Sequence, residues 1–150
     1  MSKLEIGTKI PNFTTIDQNE ETISDNDFIG RKTILYFYPQ DDTPTCTNQA
    51  CNLRDHFEEL KKAGYTLFGI SPDKAKKHQK FISKYQLPFD LLVDEDHKIA
   101  EKFGVWALKK TFGKEYMGIV RTTFIINEEG KISNIIDDVV AKKHSEQILG

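Results

Sequence analysis

Much of the chemistry open to a small protein is excluded by what this sequence lacks. Its 150 residues hold two cysteines, Cys46 and Cys51, one tryptophan and four histidines. The histidines, His56, His78, His97 and His144, are scattered among charged residues. A zinc site on Cys46 and Cys51 would therefore have no second pair of ligands at metal-binding spacing. We expect no metal and no cofactor, and we read all four histidines as surface residues. No apolar run approaches the roughly 20 residues that span a bilayer, and Met1–Ile6 lacks the apolar core of a secretion signal, so a cytoplasmic protein is expected. An excess of charge of one sign is also missing. The 21 basic and 23 acidic residues give a net charge of -2, which argues against nucleic acid or an anionic membrane as a partner held by charge. Absent too are a glycine-rich phosphate loop, a G-x-S-x-G elbow and an H-E-x-x-H pair. With no repeat, linker or low-complexity tract, one domain over 1–150 is expected, as a monomer, burying roughly two-thirds of the unfolded surface.

What is present centres on Tyr36 to Cys51. Thr33 to Tyr38 is an unbroken apolar, β-prone run, the signature of a strand buried on both faces, and Pro39 stops it. Beyond it, Leu53, Phe57 and Leu60 recur at helical spacing among charged residues up to Gly64, which predicts one amphipathic helix. Thr43 followed by Pro44 predicts its start, threonine as the cap and proline at the first helical position. Cys46 then falls in the first turn, where unpaired amides and the peptide dipoles favour a negative charge such as a thiolate. A helix end supplies about 0.3–2 kcal/mol, whereas taking a thiol from about 8.5 to about 6 requires roughly 3.4 kcal/mol. A cation is therefore expected nearby.

In chain order, Phe13–Asp17 and Glu21–Ile23 predict an N-terminal β-hairpin, and Ser24 to Phe28 a short helix. Tyr65–Ile70 predicts a second buried strand, parallel to the first because a helix joins them. A lysine-rich helix with Phe81, Ile82 and Tyr85 on one face follows, then a strand over Phe89–Val93 and a helix opening at Asp94-Glu95-Asp96. Trp106 to Glu115 carries no clear pattern, and Trp106 reads as a core edge. Met117–Ile126 and Lys131–Ile136 predict a closing hairpin, and Ala141–Leu149 a last helix. The alternation predicts an α/β fold with a mixed central β-sheet flanked by helices.

Cys46 and Cys51 stand five apart, about 8.6 Å between Cα atoms in a regular helix, and a disulfide requires less than about 7 Å. If they react together, the helix must unwind over about Thr45 to Asn52. In a reducing compartment such a pair is more often catalytic or redox-active than a structural staple. Arg31, Arg54 and Arg121 are the three arginines. Arg121 interrupts Ile119 to Ile126, which otherwise reads as buried, so its guanidinium must meet an anion, either a carboxylate or the Cys46 thiolate. These residues leave three readings open: a peroxidase, a thiol-disulfide oxidoreductase, or a thiol-based redox sensor.

Tyr-Phe-Tyr-Pro-Gln-Asp-Asp-Thr-Pro-Thr-Cys-Thr-Asn-Gln-Ala-Cys, residues 36–51, resembles the Pro-x-x-x-Thr-x-x-Cys motif of peroxiredoxins in their bacterioferritin comigratory protein (PrxQ) branch. The likeness extends from about Lys3 to the C-terminus, including Gly104-Val105-Trp106 and Gly118 to Ile126. It implies a thioredoxin-like fold and the reduction of hydrogen peroxide and organic hydroperoxides, with recycling by thioredoxin or a similar dithiol reductant. It further implies Cys46 as peroxidatic cysteine, Cys51 as resolving cysteine, and Pro39, Thr43 and Arg121 as the residues around them. The chain departs from the branch pattern at Thr45, usually glycine, and Gln49, usually glutamate, so an arginine here is expected to lack a carboxylate partner.

Overall fold

The computed structural model describes residues 4–150. Met1 to Lys3, part of the stretch read for a secretion signal, lie outside the described residues. The chain opens with a hairpin of β1 (Thr14–Ile16) and β2 (Thr22–Ser24) and a 3-10 turn over Asp25–Phe28. Next come β3 (Lys32–Phe37), α1 (Pro44–Asp55), α2 (Phe57–Lys62), β4 (Tyr65–Ser71), α3 (Ala75–Tyr85), β5 (Asp90–Val93) and α4 (Lys98–Lys102). It closes with β6 (Trp106–Thr111), β7 (Lys114–Ile119), β8 (Thr122–Ile126), β9 (Ile132–Ile136), a 3-10 turn over Ala141–Lys143 and α5 (His144–Leu149).

The central sheet runs β5-β4-β3-β8-β9, parallel across β5, β4 and β3 and antiparallel from β3 through β8 to β9. The continuous apolar run of β3 suits its central place, because both of its faces are covered. One face sends Leu35, Phe37, Phe68, Ile70, Phe124 and Ile126 against Phe28 and Phe103. The other sends Ile34, Tyr36, Tyr38, Leu67 and Ile125 against Cys46, Ala50 and Leu53 of α1 and Phe81 of α3. Gly69 pairs with Tyr36 across the parallel strands, and a Cβ there would stand 2.8 Å from the Tyr36 ring and from Leu91. The missing side chain makes room for the phenol. Among the described residues no helix is long and apolar enough to cross a membrane.

Several local expectations need correction. The helix expected to run unbroken to Gly64 is interrupted at His56, whose backbone (φ -112, ψ 16) separates α1 from α2. Thr43 occupies the cap position of α1 with extended backbone, but its hydroxyl donates to Gln40 O at 3.1 Å and caps nothing. The helix expected at Asp94 begins at Lys98, with Asp94 accepting the Ile99 and Ala100 amides at 3.0 and 2.9 Å. The strand expected over Met117–Ile126 is two strands. β7 pairs with β6 in a separate two-stranded sheet, and β8 enters the central one. The unpatterned stretch after Trp106 is thus half of a hairpin. Its alternation is masked because much of the hairpin is solvated, with Leu108 and Phe112 exposed. Trp106 itself is half-buried, packs against the core and stacks on His97 with ring centroids 3.8 Å apart.

His78 and His144 are not surface residues, since both are 0% exposed. Charged neighbours in sequence misled here, because helical residues adjacent along the chain point in different directions. His144 Nε2 lies 2.7 Å from Thr123 Oγ1 on β8, and Nδ1 lies 2.9 Å from Gln147 Oε1. An amide oxygen only accepts, so Nδ1 carries the hydrogen and Nε2 accepts from threonine. Beside it the C-terminal segment clasps α1: Asn52 Nδ2 donates to Lys142 O at 3.0 Å, and the Ser145 amide donates to Asn52 Oδ1 at 2.8 Å.

Burial holds the His144 imidazole below the usual histidine range. The unfolded chain takes up its proton near pH 6.5, while the folded chain does so only at lower pH. Below about pH 6.5 the unfolded state therefore binds more protons, and stability falls as the pH drops. We expect His144→Gln to remove up to one proton, about 1.4 kcal/mol per pH unit, from this dependence. Thermal melts at pH 7.5 and 5.5 check it, and an equal acid loss in both proteins contradicts it.

Candidate active site

β3 delivers the chain into Pro39–Thr43, and Pro44 opens α1. Proline suits this position, where an amide would have no helical partner. The first backbone bond of the turn is Thr47 N–H to Thr43 O at 2.8 Å, so the Cys46 amide precedes the ladder and stays available. Cys46 sits on the inner side of that turn, 1% exposed, with Ala50 and Leu53 below it.

Arg121 comes from the opposite direction. It lies between β7 and β8, where the Val120 amide donates to Val105 O at 2.8 Å and the backbone crosses from one sheet to the other. Free of a ladder position and half-buried, its guanidinium reaches the helix start. Nη2 is 3.1 Å from Cys46 Sγ, and Nη1 is 3.2 Å from Gln49 Oε1. The cation expected near the helix start is therefore present, and the acceptors that the guanidinium meets are the Cys46 sulfur and the Gln49 amide oxygen. Gln49, 0% exposed, takes the place of the carboxylate partner with a neutral oxygen. Its Nε2 has no hydrogen-bond partner among the described residues.

Tyr36 Oη, also buried, has no hydrogen-bond partner among the described residues either. Burial first, then the negative charges of Asp41 and Cys46, push its phenol well above the usual tyrosine range, so it remains protonated. Cys51 is half-buried further along α1, and both cysteines are free thiols. The structure thus brings Arg121 onto Cys46, with Thr43 at the cap position of the same helix, Pro39 at the head of the loop before it and Cys51 further along it.

Gln49 meets Arg121 at this point and Tyr36 packs in the same cluster as Cys46, while Asp41 of the preceding loop pairs with His78; the motif assigns none of the four a role. Asp41 and His78 are 37 residues apart, a separation at which sequence shows no pairing. Asp41, Asp73 and His78 form a cluster able to offer three metal ligands. Their polar atoms are engaged with one another and with Lys77, and neither cysteine belongs to the cluster.

The model of the AhpC/TSA family matches residues 6–135. The chain belongs to this family. Among its relatives, peroxiredoxin Bcp of Bacillus subtilis (strain 168) is 47% identical over 146 residues, 97% of this chain and 93% of that protein. Peroxiredoxin Bcp of Escherichia coli (strain K12) is 46% identical over 149 residues, 99% of this chain and 96% of that one. The solved structure of Xanthomonas campestris peroxiredoxin Q superposes with a TM-score of 0.86 at 29% identity, covering 91% of this chain and 87% of the other. The chain is a peroxiredoxin of the bacterioferritin comigratory protein (PrxQ) branch, with the thioredoxin-like fold and a thiol-dependent peroxidase activity.

Proposed function

We propose that this peroxiredoxin reduces hydrogen peroxide and organic hydroperoxides through Cys46, resolves the product with Cys51 and is returned to the dithiol by thioredoxin or a similar reductant in the cytoplasm. The observation that carries the reading is Arg121 Nη2 at 3.1 Å from the Cys46 sulfur, at a helix start. The Cys46 thiolate attacks the distal peroxide oxygen, the O–O bond breaks, and the departing oxygen takes a proton and leaves as water or alcohol. Cys46 is now a sulfenic acid. Cys51 attacks its sulfur, the S–OH bond breaks, water departs and a disulfide forms. Two electrons from the reductant's dithiol reopen it.

An ordinary thiol is already about 3% ionised at pH 7, so complete ionisation gains about thirtyfold at most. The larger contribution comes from donors aimed at the departing oxygen. We assign Arg121, the Cys46 amide and the Thr43 hydroxyl to this role, with Pro39 shielding the reacting atoms from water. The Thr43 proton is directed at Gln40 O, so before reaction the hydroxyl offers lone pairs to the peroxide's own hydrogen, and it releases Gln40 to donate. With Cys46 1% exposed, a small hydroperoxide fits the closed geometry best.

Resolution requires α1 to open. The Thr47 bond to Thr43 O breaks first, and the two Asn52 contacts with the C-terminal segment are the far limit of the unwinding. One equivalent of hydrogen peroxide, followed by denaturing alkylation, is expected to give a mass two hydrogens lower, located between Cys46 and Cys51. Cys51→Ser is expected to consume one equivalent rapidly and then stall, Cys46 accumulating as sulfenic and then sulfinic acid. Steady turnover of Cys51→Ser at the wild-type rate, with no added thiol, would contradict the assignment of Cys51.

A further inference from the structure

The loop from Pro39 to Thr43 is held by residues that take no part in the reaction just described. Asp41, at its centre, is 2% exposed. Tyr38 Oη donates to Asp41 Oδ1, and Asp41 Oδ2 lies 2.6 Å from His78 Nδ1. The Asp41 amide donates to Asp73 Oδ2 at 2.7 Å, and Asp73 is steadied by the Ser71 hydroxyl at 2.7 Å and by Lys77 at 3.1 Å. Asp42 follows with left-handed backbone at φ 60, its carboxylate taking bonds from Tyr85 Oη at 2.7 Å and Lys84 Nζ at 2.8 Å. His78, Lys84 and Tyr85 all belong to α3. A helix that supplies no reacting group fixes the loop that does.

The hydrogen positions follow from the partners. His78 Nε2 lies 2.8 Å from Leu92 O, and a carbonyl only accepts, so Nε2 carries a hydrogen. Nδ1 and the Asp41 carboxyl oxygen then share one proton, because two lone pairs at 2.6 Å would repel. Burying such a pair adds little stability over an apolar pair of the same volume, whereas removing one partner leaves a strongly destabilised group. Its distinctive contribution is a single, fixed geometry.

We propose that Asp41 and His78 are positioning residues for the peroxide step, acting through Thr43. They anchor the loop on α3 so that the Thr43 hydroxyl, 3.1 Å from Gln40 O on the same loop, keeps its aim at the peroxide while α1 unwinds and refolds in every cycle. A loop tied only to α1 would lose that aim each time the helix opened, and misplacement of a reacting group by about 1 Å costs on the order of a hundredfold. The inference rests on reading Cys46 as the peroxidatic residue and Thr43 as its neighbouring hydroxyl.

The test separates the half-reactions of the intact protein. Single-turnover mixing of the reduced protein with hydrogen peroxide measures the first, and dithiothreitol reduction of the oxidised protein measures the last. Asp41→Ala is expected to slow the peroxide step about 10- to 100-fold and to leave dithiothreitol reduction within about twofold. Asp41→Asn keeps the network in neutral form: Oδ1 accepts from Tyr38, and Nδ2 donates to His78 Nδ1. It is expected to recover the rate to within about threefold. Thr43→Val combined with Asp41→Ala is expected to be no more than about threefold slower than the slower single variant, since both act at one point. Should Asp41→Ala not fold, His78→Gln, which retains a donor toward Asp41 and gives up the Leu92 contact, replaces it with an expected loss of about five- to tenfold.

A folded Asp41→Ala within twofold of wild type, or effects of Asp41 and Thr43 that multiply, overturns the proposal. So does a loss shared equally by both half-reactions. Persistence of peroxide consumption in Cys46→Ser would instead remove the reading beneath it, so the two failures are distinguishable.

Discussion

Cys46→Ser is expected to lower the second-order rate constant for hydrogen peroxide at least a thousandfold, while leaving the fold intact. A serine hydroxyl is almost wholly un-ionised at neutral pH, and it has no adjacent general base to activate it. Arg121 and the unpaired helix-end amides cannot make up the difference. They favour an anion at this point by a few kcal/mol, which is far less than is needed to ionise an alcohol in water. The structural cost is small, because the oxygen replaces a sulfur that already accepts a hydrogen bond from Arg121 at 3.1 Å. An unchanged melting temperature together with lost peroxide consumption is therefore the expected pair of results. Consumption within tenfold of wild type would end the assignment of Cys46.

Arg121→Ala carries the second-largest expected effect. The guanidinium contacts both Cys46 Sγ and Gln49 Oε1, so its removal takes away a charged donor and leaves a buried amide with no partner at either end. Loss of one such donor costs about 10²–10³ in rate. The measurement is the plateau of the single-turnover rate at a pH high enough to ionise the thiol in every variant, which isolates stabilisation of the departing oxygen from thiol ionisation. A plateau equal to that of wild type, with loss confined to lower pH, would mean that Arg121 acts on ionisation alone. Arg121→Lys is expected to stay low, about tenfold or more below wild type, because an ammonium cannot serve two acceptors in one plane as the fork does.

The PrxQ-type motif from Tyr36 to Cys51 was legible for a physical reason: its information is local. Proline at the first helical turn, a polar loop before it and a cysteine three positions in define a helix-start site whatever the rest of the chain does. The buried run of β3, the parallel partner in β4 and the five-residue spacing of the cysteines are local in the same sense. So was the anomaly of Arg121, a cation in an otherwise apolar strand pattern.

What sequence could not specify is long-range or depends on a side chain's direction. The Met117–Ile126 run looks continuous, yet the chain changes sheets at Val120 and Arg121, because the Val105 carbonyl holds one end of the step. His78 looks solvated among lysines, yet α3 turns it inward to a carboxyl 37 residues away. Thr43 was identified as the start of α1, but its hydroxyl faces the Gln40 carbonyl.

Sequence by itself determined which cysteine falls at a helix start, the strand and helix around it and the expectation of a nearby cation, because each follows from residue type and spacing along the chain. Tertiary structure alone decided between a carboxylate and the sulfur as the group Arg121 meets, put the Gln49 oxygen on the same guanidinium and tied the loop to α3. Those pairings join residues distant in sequence, and only the packing of helices against the sheet brings their polar atoms within hydrogen-bonding distance.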